Sequence, residues 1–169
     1  MRLAGVVAAL AVALVLQTTV TGVIRGAVPV DLVLVVVVSA ALAFGPMTGL
    51  LAGTVGGLVQ DALSSGVLGM GGLAKTLVGF AAGRFATQFI VTATVPRLLI
   101  FAAATVAHAV LFMGLYTLLG LRSFPDPVPS VAVQAVGNAV VGVVGVRAVD
   151  AVPRLLERRR ASRGMRVKR

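Results

Sequence analysis

Residues 56–80 read GGLVQDALSSGVLGMGGLAKTLVGF, and they set two charges, Asp61 and Lys75, among glycines and aliphatic side chains. Both charges continue glycine rows. Gly45, Gly49, Gly53 and Gly57 recur in steps of four and lead to Asp61. Gly71, Lys75, Gly79 and Gly83 repeat the step further on. Residues four apart are neighbours on a helix surface. The row drifts by about 40° per step, so only local trios share a face. Those trios are Gly53, Gly57 and Asp61 on one helix and Gly71, Lys75 and Gly79 on the other. Small residues spaced this way let helix backbones approach closely in lipid, where the hydrophobic effect does not drive association. A charge facing acyl chains costs about 2.5–3.5 kcal/mol on insertion scales, so both charges belong on packing faces. With a turn near 64–66, the two helices form an antiparallel hairpin. That hairpin sets Lys75 opposite Gly57 and Asp61 one turn nearer the outer surface. The charges then pair across the joint, snorkel separately, face a partner, or bind a substrate or proton.

The rest of the chain makes a membrane the natural solvent. Of 169 residues, 59% are hydrophobic and 12% charged, where soluble domains average about 25% charged. Mean hydropathy is +1.06. There is no cysteine and one histidine, His108. Disulfides, thiolate metal sites and histidine clusters are excluded, and neither cofactor nor metal is expected. Nine of the fifteen Lys and Arg residues lie in the last 23: Arg147, Arg154, Arg158, Arg159, Arg160, Arg163, Arg166, Lys168 and Arg169. A basic tail on an apolar body reads as a cytoplasmic tail lying on anionic lipid. No soluble domain accompanies it, so nucleic acid is not an expected partner.

A spanning helix needs about 20 mostly apolar residues. Six candidate spans follow: Leu3–Ile24, Leu32–Phe44, Thr48–Leu63, Gly69–Val91, Leu98–Leu121 and Ser130–Val149. The first also resembles a signal peptide. It is long for one and no A-x-A site follows, so a retained helix is expected. Pro29 and Asp31 suit the start of the second span. Gly45–Pro46 separates the second from the third, TATVPR (92–97) the fourth from the fifth, and RSFPDPVP (122–129) the fifth from the sixth. The expected fold is an all-α integral membrane protein. Residues 1–150 form a compact six-helix bundle and 151–169 a basic tail. With the tail inside, twelve cationic residues (Arg2, Arg84, Arg97 and the nine above) lie inside against Arg25 and Arg122 outside. That asymmetry puts both termini in the cytoplasm.

Other polar residues within spans are few. His108 reads as a buried, hydrogen-bonded histidine, with a proton site as the alternative. Gln134 and Asn138, four apart, read as interhelical hydrogen-bonding groups. Gly5, Ala9 and Ala13 give the first span a smooth face. No G-x-S-x-G, HExxH or P-loop occurs and no two carboxylates share a span, so no enzyme is expected.

Residues 28–85 carry a family resemblance. Pro29 and Asp31 open an apolar helix, and Gly45–Pro46 breaks it. A glycine-rich helix then ends in the leucine-flanked Asp61, the turn Gly66–Gly69 follows, and Gly83–Arg84 closes the next helix. In these features the chain resembles the bacterial rod-shape protein family MreD. That resemblance implies a non-enzymatic inner-membrane scaffold that docks an MreC-type protein. It would work with MreB filaments and the transmembrane glycosyltransferase and transpeptidase of peptidoglycan synthesis. It also implies a fold similar to the S components of energy-coupling-factor vitamin transporters. The rival reading is therefore a transporter subunit of that S-component type. The outer loops offer few groups for a polar pocket (Arg25, Asp31, Arg122, Asp126 and Asp61), and that scarcity favours the scaffold.

Overall fold

A computed structural model describes residues 2–23, 30–64, 66–89 and 93–166. Over these residues the chain forms six α-helices: α1 (Arg2–Val23), α2 (Leu32–Phe44), α3 (Pro46–Leu63), α4 (Met70–Gln88), α5 (Thr94–Leu118) and α6 (Val128–Arg166). Helices in α1 (Leu3–Val20), α5 and α6 (Val128–Ala151) are long and apolar enough to cross a membrane. Leu3, Val12, Leu51, Leu99, Val110 and Val133 are each more than half exposed. An apolar exterior of that kind suits a bundle bathed in lipid.

Two helices begin earlier than their prolines suggested. Pro96 is the third residue of α5 and Pro129 the second of α6. N–H groups of a first turn have no intrahelical partner, so proline removes nothing there. α6 runs without a break in its backbone through Arg166. The basic tail residues Arg154, Arg158, Arg159, Arg160, Arg163 and Arg166 lie outside the residues whose side chains are described. Arg25, Pro29, Lys168 and Arg169 lie outside the described residues altogether.

The short, valine-rich α2 is the hub. Its 13 residues rise only about 20 Å, less than the roughly 30 Å of bilayer hydrocarbon. Val33, Val37 and Ala40 pack against Val6, Leu10 and Ala13 of α1 and Ala52 of α3. Leu34, Val35, Val38 and Ala41 pack against Val78 and Ala82 of α4, Phe101 and Ala104 of α5, and Ala139 and Val143 of α6. A helix buried on both faces carries apolar residues all round, and β-branched valines are tolerated because lipid offers the backbone no alternative partner. One residue, Gly45, separates α2 from α3. Its φ of +91° is open to glycine at little cost, and Pro46 begins α3 at the position where proline fits best.

α3 and α4 form the tightest joint. A Cβ built at Gly49 would meet the Gly79 carbonyl, and one at Gly53 the Lys75 carbonyl. At Gly57 it would meet Gly72, and at Gly83 Pro46. Each step of three or four residues along α3 thus matches three or four residues back along α4, which is an antiparallel register. Thr54 and Thr76 hydrogen-bond across it at 2.8 Å. The register differs from the expected one by a turn. Gly53, not Gly57, faces Lys75, because the start of α4 lies against Leu58, more than a turn before the end of α3 at Leu63. Gly56 opens a second close contact on the other side of α3, against Leu10 and Val33.

These contacts are to backbone, which cannot swing aside. Gly53→Ala and Gly79→Ala should each destabilise the detergent-solubilised protein by roughly 1–3 kcal/mol. Gly114, with nothing within 4 Å of an added Cβ, should tolerate alanine with no loss. Melting curves that do not separate the three variants would contradict this register.

Candidate functional site

Most of the polar side chains that the apolar helices hide meet at the start of α2. Asp31 is the N-cap of that helix, and its Oδ1 accepts from the Leu34 N–H at 2.9 Å. Its Oδ2 lies 2.8 Å from Lys75 Nζ of α4. Lys75 Nζ also lies 3.2 Å from His108 Nε2 of α5. An ammonium group has donors only, so Nε2 accepts and the imidazole proton sits on Nδ1. The Asp31 N–H donates to Asn138 Oδ1 of α6 at 2.8 Å. Asn138 Nδ2 in turn donates to Thr105 Oγ1 at 3.0 Å. Asp31, Lys75, Thr105, His108 and Asn138 are all buried.

α1 closes the cluster from the remaining side. Gln17 Oε1 accepts from the Leu32 N–H at 2.9 Å, and its Nε2 donates to the Val30 carbonyl at 3.1 Å. One side-chain amide thereby satisfies the main chain on both sides of Asp31, where no helical partner exists. Unsatisfied backbone groups cost several kcal/mol in lipid, so a helix that begins inside a bundle requires such partners.

The two charges singled out in the sequence do not pair. Lys75 takes Asp31, and Asp61 does something else. Its Oδ2 accepts from the Gly69 N–H at 2.9 Å and the Gly72 N–H at 3.0 Å. Gly69 is the N-cap of α4, lies at φ +95° and has no side chain to cap with. Asp61 supplies the capping carboxylate from the neighbouring helix. It also places negative charge where the α4 dipole is positive. Gly71 is required there, since a Cβ on it would overlap the Asp61 carboxylate. The turn between α3 and α4 is held further by the Val67 N–H, which donates to the Tyr116 hydroxyl at 2.9 Å.

Of the other residues expected to carry the joint, Gly45 is the break before α3, and Gly49, Gly53, Gly57, Gly79 and Gly83 lie in the α3–α4 contact. Asp31, expected as a helix start and as an outer-loop polar group, instead meets Lys75 and Asn138, with His108 Nε2 on the same ammonium. The signal available was weak: four isolated polar residues in separate apolar segments, each of which needs a partner in lipid. Counting polar groups on the outer loops also misled. Asp31 is not a loop residue in effect, because it is buried in the bundle with groups from four other helices.

A family model described as "ECF-type riboflavin transporter, S component" matches residues 1–152. No curated protein and no solved structure matches the chain. The family match overturns the resemblance to MreD. With it go the expected scaffold role and the expected partners: MreC, MreB, and the peptidoglycan glycosyltransferase and transpeptidase. The glycine rows, the Gly-Pro break and the capping aspartate that carried the resemblance are helix-packing devices, and they do not discriminate between membrane bundles that pack alike.

Breaking one partner of a buried ion pair strands the other. Lys75→Met should lower stability by about 3–5 kcal/mol. The double variant Asp31→Asn/Lys75→Met keeps a capping oxygen and removes both charges, so it should recover most of that loss. Unfolding curves of the two variants in detergent check the order. A double variant less stable than Lys75→Met would refute the pairing.

Proposed function

The chain belongs to the family of ECF-type riboflavin transporter S components. From that premise we propose that it is the membrane-embedded, cargo-binding subunit of an energy-coupling-factor transporter, with riboflavin or a closely related flavin as cargo. The observation that carries the proposal is the extent of the family match. Residues 1–152 take in α1 to α5 and the membrane-length part of α6.

A flavin has a flat, largely apolar ring system with hydrogen-bonding groups along one edge and along its polyol chain. Sites for such molecules combine apolar walls with a few convergent polar groups. The gathering of Asp31, Lys75, Thr105, His108 and Asn138 at one point of an otherwise apolar bundle supports a role of that kind. In this reading the chain catalyses no reaction. ATP hydrolysis belongs to a separate ATPase, coupled through a transmembrane T component. Both termini face the cytoplasm, as the excess of Lys and Arg at that end supports, and the tail beyond residue 150 points towards the cytoplasmic partners.

Riboflavin is fluorescent, so binding by the purified full chain is directly measurable. Quenching should saturate at one flavin per chain, and the chain should co-purify with an ATPase and a T component when expressed with them. Absence of saturable quenching at micromolar riboflavin, with no flavin carried through purification, would overturn the proposal.

A further inference from the structure

α4 and α5 part along an apolar groove of about 630 Å³. Leu77, Ala81 and Phe85 line it from α4, and Leu99, Ala103 and Ala107 from α5. Among the described residues, no hydrogen-bonding side chain lines it. Along α4 these residues cover roughly 12 Å of rise, so the groove runs lengthwise and opens sideways to the bilayer. Val78, Ala82 and Ala104 of the buried core form its floor.

One end of the groove is basic. Arg84 lies three residues beyond Ala81 and seven beyond Leu77, hence on the groove face of α4. Arg97 lies three residues before Ile100 and seven before Ala104, at the edge of the groove on α5, where its guanidinium is engaged with Asp150 of α6. Both stand at the end marked by Phe85 and Pro96. Arg147 of α6 reaches the same end and donates to Thr94 Oγ1. Asp150 is the acidic residue described there, 3.3 Å from Arg97 and 56% exposed. Among the residues whose side chains are described, Arg84, Arg97 and Arg147 stand there against that one carboxylate. An apolar slot with cations at one end matches a molecule with a hydrocarbon tail and an anionic head.

We propose that the α4–α5 groove is a binding site for one anionic phospholipid, with an acyl chain along Leu77–Phe85 and the phosphate headgroup at Arg84 and Arg97. The site is separate from the Asp31 cluster and does not depend on the cargo assignment.

Native mass spectrometry of the delipidated full chain tests it, with palmitoyl-oleoyl phosphatidylglycerol and phosphatidylcholine as probes. The wild-type chain should retain one phosphatidylglycerol in preference to phosphatidylcholine. Arg84→Gln should reduce that preference about fivefold, the effect of one cation near a membrane surface. Ala81→Phe and Ala103→Phe fill the groove from exposed positions and should abolish the retained lipid without lowering the melting temperature. The basic tail is present in every variant, so lipid held by the tail does not respond to these two. Equal retention of the two lipids, or retention unchanged in the filled variants, overturns the proposal. So does a filled variant that keeps phosphatidylglycerol but loses riboflavin quenching, since the groove would then be a cargo site.

Discussion

The ion pair between Lys75 and Asp31 is the constraint on which the bundle turns. The Lys75 carbonyl rests against Gly53 of α3 and its side chain is 4% exposed, so the ammonium group points inward. An isolated charge there is prohibitive, and Asp31 answers it at 2.8 Å. For that carboxylate to be available, α2 must begin inside the bundle rather than at a membrane surface. The short α2 follows, as do its buried N-terminus and the partners that Gln17 and Asn138 offer to the main chain around Asp31. His108 then offers the ammonium a second acceptor. Pairs of this kind contribute little net stability compared with a well-packed apolar core. Their effect is on register, since any slip of α4 against α2 separates the charges.

Glycine makes the same register possible from the other side. The contacts of Gly49 with Gly79, and of Gly53 with the Lys75 carbonyl, bring the α3 and α4 backbones together without intervening side chains. Van der Waals contact of that closeness is a main source of helix association in lipid. Asp61 fixes the end of the joint. A carboxylate on α3 that caps α4 ties the turn to the packed glycines, and Gly71 leaves it the room. The two charges first noticed as a possible pair thus have separate duties. One closes the α3–α4 turn and the other anchors α4 to α2 and α5.

Much of the fold was legible because lipid simplifies the code. Long apolar runs become helices since no other backbone arrangement satisfies its own hydrogen bonds, and the valine run of α2 was found to the residue. The starts of α5 and α6 were placed late because Pro96 and Pro129 read as loop residues, whereas a first helical turn accepts them. The cluster was illegible for a different reason. Asp31, Lys75, His108 and Asn138 sit in four apolar segments far apart in the chain, and local spacing says nothing about which segments meet. Glycine spacing did locate the α3–α4 contact, yet it left the register a turn in error.

The family assignment shows where packing arguments stop. The Gly-Pro break, the glycine rows and the capping Asp61 describe how helices of a small bundle are held, and two families with similar bundles share such needs. Architecture was therefore recoverable from these residues while partners were not. Function in such a protein depends on the groups that packing does not explain. A bundle held by glycine contacts and apolar valines could exchange the Lys75–Asp31 charges for uncharged residues of similar volume at little cost in stability, provided the main chain around Asp31 keeps its hydrogen-bond partners. These charges set register, but they add polarity inside the bundle without a net gain in stability. That polarity is gathered from α2, α4, α5 and α6, four helices whose apolar packing alone would not call for it.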